Sequence, residues 1–154
     1  MLEGKYKDSE KIEKVKIRKF LVNEFKNYEY LQKDSFDINV KTGVPIKVLN
    51  EIGTKINTLP KDLQFFKKVD RIVSDRQMMM NEGRLDWAMA ELLAYGTLVT
   101  EGHPVRVSGQ DSERGTFAHR HASFVVEGTD EKYFPLKYIS EKQAPFHIYN
   151  SILS

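Results

Sequence analysis

The chain reads as a mixed α/β protein in which a helical segment precedes the start of an α/β domain. Three observations predict it. Apolar residues recur at helical spacing through the first two thirds of the 154 residues. Short β-branched and aromatic runs follow from Val105 onward. Between the first two of these runs lies a dense polar stretch, Arg106 to His121, with two glycines, three arginines and two imidazoles. Polar groups in such density seldom serve packing, because each buried one needs a partner or a ligand.

The elements follow in chain order. Ser9 precedes a charged helix over 10–28, with Ile12, Val15, Phe20, Leu21 and Phe25 near one face and its lysines on a solvated one. A lone amphipathic helix cannot bury its stripe, so this arm must pack on something or fray. Residues 33–41 read as a polar linker. Thr42-Gly43-Val44-Pro45 opens a second helix, with Pro45 in its first turn, where the missing N–H costs nothing. Val48, Leu49, Ile52 and Ile56 form its stripe, and Leu59-Pro60 ends it. A third helix is predicted over 61–82, with Phe65, Phe66, Val69, Ile72 and Val73 inward and a stop at Asn81-Glu82-Gly83. Met78, Met79 and Met80 cannot share one face, so at least one meets solvent or a partner.

Asp86 is an N-cap for a fourth helix, Trp87 to about Thr100, which ends at Glu101-Gly102. Ala88, Ala90, Ala94 and Gly96 keep that helix thin, which suggests close packing on a sheet or a second subunit. Glu91 inside so apolar a helix must find a partner. Strands are expected at 105–107, 122–126 and 146–149, with a loop or short helix at 137–142. Three strands are few for such a sheet, which suggests that it is cut short at the chain end. The domains expected are a charged arm and linker (1–41), a helical connecting segment (42–84) and the beginning of an α/β domain (85–154).

Composition narrows the function classes. The net charge of +2 resides in residues 1–41, where ten basic residues face eight acidic ones, and from Thr42 the charges cancel at fourteen each. No basic stripe tracks a phosphate backbone, so a nucleic-acid partner is unsupported. The absence of cysteine excludes disulfides and thiolate metal sites and fits a reducing compartment. No window of eighteen apolar residues exists to span a membrane, and the first five residues lack an apolar signal core.

The chemistry resides in the polar stretch. On an extended chain His119 and His121 would point the same way. Such a pair suits anion recognition or proton transfer near neutral pH, satisfied structural imidazoles, or a metal if a third ligand joined. Arg106, Arg114 and Arg120 can pair bidentately with carboxylates, either a ligand's or those of Asp111 and Glu113. Gly109 and Gly115 permit tight turns or close backbone approach. Phe117 reads equally as core or as a ring beside a ligand. His103 and His147 read as structural.

The run from Asp86 to His121, DWAMAELLAYGTLVTEGHPVRVSGQDSERGTFAHRH, closely resembles the thiamine-diphosphate-dependent decarboxylase (first) component of 2-oxoglutarate dehydrogenase. The resemblance continues through Tyr133-Phe134-Pro135-Leu136 and the run 146–154, is looser over 42–76, and is slight in the first 40 residues. It implies a transketolase-like fold, with residues 85–154 as the beginning of the cofactor's pyrimidine-binding domain. In that family thiamine diphosphate binds between two subunits, so a homodimer is implied. Ser108, Gln110 and Asp111 match the family's Ser-Gly-Gln-Asp run in the pyrimidine-binding half, and Phe117 lies beside the cofactor ring. His121, and more loosely His119, take the catalytic positions, with His121, Arg114 and Arg120 toward the substrate.

The implied parent reaction decarboxylates 2-oxoglutarate and passes a succinyl group to the lipoyl arm of the partner succinyltransferase, in the cytoplasm or, in a eukaryote, the mitochondrial matrix. The chain lacks the Gly-Asp-Gly run that holds magnesium and diphosphate. It also stops at Ser154, one residue before the family's pyrimidine-binding glutamate. The expectation is therefore an internal fragment that is inactive alone and binds no cofactor. Two alternatives stand beside it: a sister component acting on 2-oxoadipate, and a non-catalytic helical interaction module formed by residues 1–82.

Overall fold

A computed structural model describes residues 2–9, 11 and 40–152. The chain divides into two units, Met1–Lys41 and Thr42–Ser154. In the first, helix α1 spans Leu2–Ser9. Ser9 is its last residue. The predicted charged helix over 10–28 and the linker after it lie outside the described residues, apart from Lys11 and the last two linker positions.

The second unit holds three further helices: α2 (Ile46–Ile56), α3 (Lys67–Glu82) and α4 (Trp87–Thr100). Pro45 occupies the N-cap of α2, one position before the predicted first turn. The start of α3 falls six residues later than the spacing predicts. Phe65 instead pairs with Val126 as an antiparallel bridge, which holds the preceding segment extended. Phe66 is consequently exposed, while Val69 and Val73 are buried as expected. Gly83, left-handed at φ 67°, closes α3 and donates its N–H to Met80 O. Of the three methionines, Met79 and Met80 pack on the core and Met78 is 55% exposed.

Asp86 caps α4 as its sequence position predicts, its carboxylate accepting from Met89 N at 2.7 Å. Helix α4 packs on the parallel sheet, with the Tyr95 and Phe146 rings 6.0 Å apart, while its thinnest point, Gly96, meets a helix and a loop. A Cβ built at Gly96 would lie 2.5 Å from Ile52 Cγ2 of α2 and 3.2 Å from Ile139 Cδ1. Ala90 and Ala94 face solvent.

Strands β1 (Val105–Gly109) and β4 (Phe146–Asn150) pair in parallel, with Val105 opposite Phe146 and Gly109 opposite Asn150. Alternation along the pair sends Val105, Phe146 and Ile148 into the core beneath α4 and leaves Arg106, Ser108, His147 and Tyr149 on an exposed face. On that face Tyr149 stacks on His147, with centroids 6.0 Å apart, and the Arg106 guanidinium lies over the Tyr149 ring.

The predicted second strand does not join this sheet. It shortens to β2 (Phe124–Val125) and forms a separate antiparallel pair with β3 (Lys132–Tyr133), a strand the sequence did not signal. Phe124 is fully buried with Val69 and Val73 of α3, so β2 serves a small second core. A 3-10 turn, Pro135–Lys137, then leads toward β4. The result is a mixed α/β arrangement of helices around a small parallel sheet.

At Gly96 helices α2 and α4 come into close contact. Gly96→Ala should gain up to about 1 kcal/mol of helix propensity yet lose about 1–3 kcal/mol by overpacking against branched Ile52. A urea unfolding midpoint below that of the parent chain is expected. A midpoint at or above it would show that α2 and α4 can separate without cost.

Candidate functional site

The polar stretch leaves the carboxyl end of β1 as a tight, self-bonded loop. Gly115 N donates to Asp111 O at 2.6 Å, and Ala118 N to Gly115 O at 2.7 Å. The N–H groups of Arg120 and His121 both donate to Arg114 O at 2.9 Å. So sharp a path forces three non-glycine residues to positive φ: Asp111 at 49°, Ala118 at 53° and His121 at 36°. Left-handed backbone costs on the order of 1 kcal/mol or more per residue and concentrates at functional loops. Gly115, at φ 83°, lies directly beneath the His119 ring, where a Cβ would be 2.5 Å from Cε1. This position needs glycine for both its conformation and its space.

Because the loop is coiled, His119 and His121 are not on an extended strand. They nonetheless reach one cleft of about 570 Å³, lined also by Lys68, Arg71, Asp75 and Arg76 of α3 and by Asp86. His121 and Lys68 also line an adjoining cleft beside Arg114, Phe124 and Lys132. His121 therefore stands between the two, half-buried, while His119 is exposed.

The loop is fixed to α4 by one guanidinium. Arg120 donates Nε to Glu91 Oε2 at 2.9 Å and Nη2 to Glu91 Oε1 at 3.0 Å, and its Nη1 reaches Ser112 O at 2.7 Å. Tyr95 Oη donates to the same carboxylate at 2.6 Å. The partner demanded by Glu91 is thus Arg120. Burial alone would push the Glu91 carboxyl up, but the hydrogen bonds from Arg120 and Tyr95 outweigh it and hold the group below its usual value. Burial and the same carboxylate push the Tyr95 hydroxyl up to about 12. Arg114 is also engaged, forming a fork with Asp111 at 2.5 and 3.0 Å. Glu113 pairs with Lys132 at 2.7 Å and accepts from Ser123 at 3.1 Å, so it holds no arginine. Asn150 at the end of β4 accepts the Glu113 N–H at 2.9 Å, tying the loop to the sheet.

The remaining predicted positions lie elsewhere on the loop. Ser108 and Gln110 are exposed at the carboxyl end of β1, and neither they, Asp111 nor Phe117 line the histidine cleft. Phe117 is 89% exposed, which excludes the core reading in this chain, and its ring centroid lies 6.5 Å from that of His119. Among the described residues no three His, Asp or Glu side chains gather as a metal site.

Sequence reading missed the contribution of α3. Arg76 is 6% exposed, and its Nη2 donates to Arg120 O at 2.5 Å and to His121 O at 3.4 Å. Its guanidinium also lies 5.9 Å from the Phe124 ring centroid. Burial lowers its pKa to about 10, against the opposing field of Asp86, so it stays cationic at neutral pH. The signal was present: Val69, Val73 and Arg76 are spaced i, i+4, i+7 on the buried stripe. His121 sits among these charges. Burial first, then the fields of Lys68, Arg76 and Arg114, push its imidazole below the ordinary 6.5.

A polar loop at the carboxyl ends of parallel strands, carrying imidazoles beside a cationic helix, is the layout of a ligand-binding α/β protein. No protein-family model matches the chain. Among curated proteins it is similar to a "2-oxoglutarate dehydrogenase E1 component" of Brucella anthropi, 47% identical over 115 residues. The component of the same name in Brucella ovis is 45% identical over 115 residues. Each match covers 74% of this chain and spans 12% of the relative's length. Over that segment the chain is a homologue of 2-oxoglutarate dehydrogenase E1 components. Among the described residues no helix is long and apolar enough to cross a membrane.

Two predictions follow from this geometry. Glu91→Gln removes a charge from a pair that is mostly shielded from water. It should destabilise the second unit by about 2 kcal/mol, between the ranges for exposed and buried pairs. Chemical unfolding would measure this, and a loss below about 0.5 kcal/mol would mean that Arg120 finds other acceptors. The second concerns pH. A depressed His121 pKa means that the unfolded chain binds the proton more readily, so His121 costs stability as pH falls from 6.5 toward its folded value. Unfolding curves between pH 7 and 5 should show a slope that His121→Asn reduces.

Proposed function

We propose that this chain supplies part of the active centre of a 2-oxoglutarate dehydrogenase decarboxylase component, with a transketolase-like fold in its α/β segment. The observation that carries the reading is the meeting of His121 and His119 with the cationic face of α3 in one cleft. It is supported by the 45–47% identity to components of that name. The substrate would be 2-oxoglutarate, a doubly charged anion, and the product acyl group would pass to the lipoyl arm of a succinyltransferase partner.

Thiamine diphosphate, when bound, supplies the electron sink for loss of carbon dioxide. The residues present fit its pyrimidine half in chemistry. Phe117 offers a bare aromatic face, and Ser108 and Gln110 are exposed hydrogen-bonding side chains on the same loop. Asp111 keeps that loop in shape through Arg114. The magnesium and diphosphate are assigned to residues outside this segment, in a homodimer whose site draws on both subunits.

His121 is the main functional residue of this segment. At neutral pH it is an uncharged imidazole, able to accept a proton or a hydrogen bond. Around it Lys68, Arg71 and Arg76 favour a carboxylate. An arriving carboxylate offsets those cations and raises the imidazole pKa, so binding and proton uptake are coupled. Arg114 and Arg120, proposed toward the substrate, have their guanidinium groups committed to Asp111 and Glu91. Their contribution is then the shape of the loop, with Arg114 the more exposed of the two and the better placed to turn outward.

The test is carbon dioxide release by the Brucella anthropi component with its matched segment exchanged for this one. Thiamine diphosphate and magnesium are added, and 2-oxoglutarate, 2-oxoadipate and pyruvate are offered in parallel. A preference for 2-oxoglutarate is expected, with His121→Ala lowering kcat/KM by about 100-fold, the lower range for a lost acid–base group. The 154-residue chain alone should release none. A preference for 2-oxoadipate would reassign the substrate, and unchanged turnover in His121→Ala would overturn the role of that residue.

A further inference from the structure

We propose that Arg76 is the positioning residue of His121: from α3 it clamps the two carbonyls that flank the His121 backbone and holds the imidazole in the cleft. The proposal rests on the reading of His121 given above.

His121 adopts φ 36°, a sparsely populated backbone conformation that persists when surrounding contacts hold it. Two contacts fix it. From within the loop, Arg114 O accepts the N–H groups of both Arg120 and His121. From outside, Arg76 Nη2 donates to Arg120 O at 2.5 Å and stands 3.4 Å from His121 O. The first contact is local and moves with the loop. The second comes from a helix whose neighbours Val69 and Val73 are buried with Phe124. It therefore refers the loop to a rigid frame. Arg76 faces Phe124 as well, so its own rotamer is fixed on a second side. A nearly buried guanidinium requires acceptors, and these carbonyls supply them. The next residue continues the path into the core: Ala122 is buried and donates its N–H to Glu113 O at 2.8 Å.

Arg76 also acts on His121 through charge. Lys68 and Arg76 from α3 and Arg114 and Asp111 from its own loop act on His121, and Arg71, Asp75, Asp86, Glu113 and Lys132 line the two clefts it borders. Asp86 faces Arg76 in turn. Geometry and charge separate cleanly by substitution. Arg76→Lys keeps the cation but loses the planar fork, whereas Arg76→Met loses both while keeping the unbranched, space-filling stem.

The experiment uses amide hydrogen exchange and imidazole NMR titration on the 154-residue chain. In both variants the Arg120 and His121 amides should exchange at least about tenfold faster, the effect of roughly 1.4 kcal/mol, while Leu92 and Leu93 in α4 keep their protection. The His121 pKa should rise toward 6.5 in Arg76→Met and remain depressed in Arg76→Lys. Unchanged exchange at Arg120 and His121 in both variants would overturn the proposal. So would equal loss of protection at Leu92 and Leu93 in both, which marks a general stabilising role. In the exchanged Brucella anthropi component, Arg76→Lys should lower kcat more than it raises KM. The same assay on His121→Ala reads the catalytic role separately. Retained turnover there with faster exchange in the Arg76 variants would leave Arg76 positioning a loop that is not catalytic.

Discussion

The Glu91–Arg120 pair is the constraint on which the functional loop depends. A helix as apolar as α4 tolerates one carboxylate only if it is neutralised and hydrogen-bonded. Arg120 does both and spends a third donor on Ser112 O. That single guanidinium therefore joins α4 to both halves of the loop. Tyr95 completes the carboxylate's coordination from the same helix. With the loop anchored at 112 and 120, the chain turns tightly around these anchors, and left-handed backbone falls at Ala118 between them and at Asp111 and His121 just outside them.

A second guanidinium works from the opposite side. Arg76 belongs to the smaller core of Val69, Val73 and Phe124, and Arg120 is bound to the larger core through α4. His121 follows Arg120 directly, so it lies where the two cores are stitched together. This explains a neutral imidazole among cations: burial and three positive neighbours both oppose its protonation. The same surroundings favour an anionic ligand, since three cations, Lys68, Arg71 and Arg76, outnumber the carboxylates of Asp75 and Asp86 along the cleft. Ser108, Gln110 and Phe117 are exposed outside the lining of the histidine cleft, with Phe117 beside His119.

The sequence disclosed most of the helical frame. The Asp86 cap, the Gly83 stop, the apolar stripe of α2, the Val69 and Val73 positions of α3 and the exposure of one methionine among three all follow from local chemistry that works within a few residues. The demand of Glu91 for a partner was legible too, because a charge in an apolar helix is costly in any fold. The identity of that partner was not, since Arg106, Arg114 and Arg120 are alike in composition and differ only in where the loop carries them. The late start of α3 was hidden for a related reason: Phe65 and Phe66 suit a helix face as well as an extended segment, and the bridge to Val126 decided between them.

By itself the sequence determined the mixed α/β class, the order of helices, and the concentration of imidazole and guanidinium groups between Arg106 and His121. The resemblance to the decarboxylase component was also written in that stretch. Only tertiary structure decided that β2 leaves the parallel pair for a hairpin of its own, that Gly96 meets a helix, and that Arg76 joins the site. The physical reason is range. Caps, stops and periodicity arise from neighbours along the chain, whereas the β1–β4 pairing and the choice of Arg120 by Glu91 join groups distant in sequence, which the chain reveals only once it is packed.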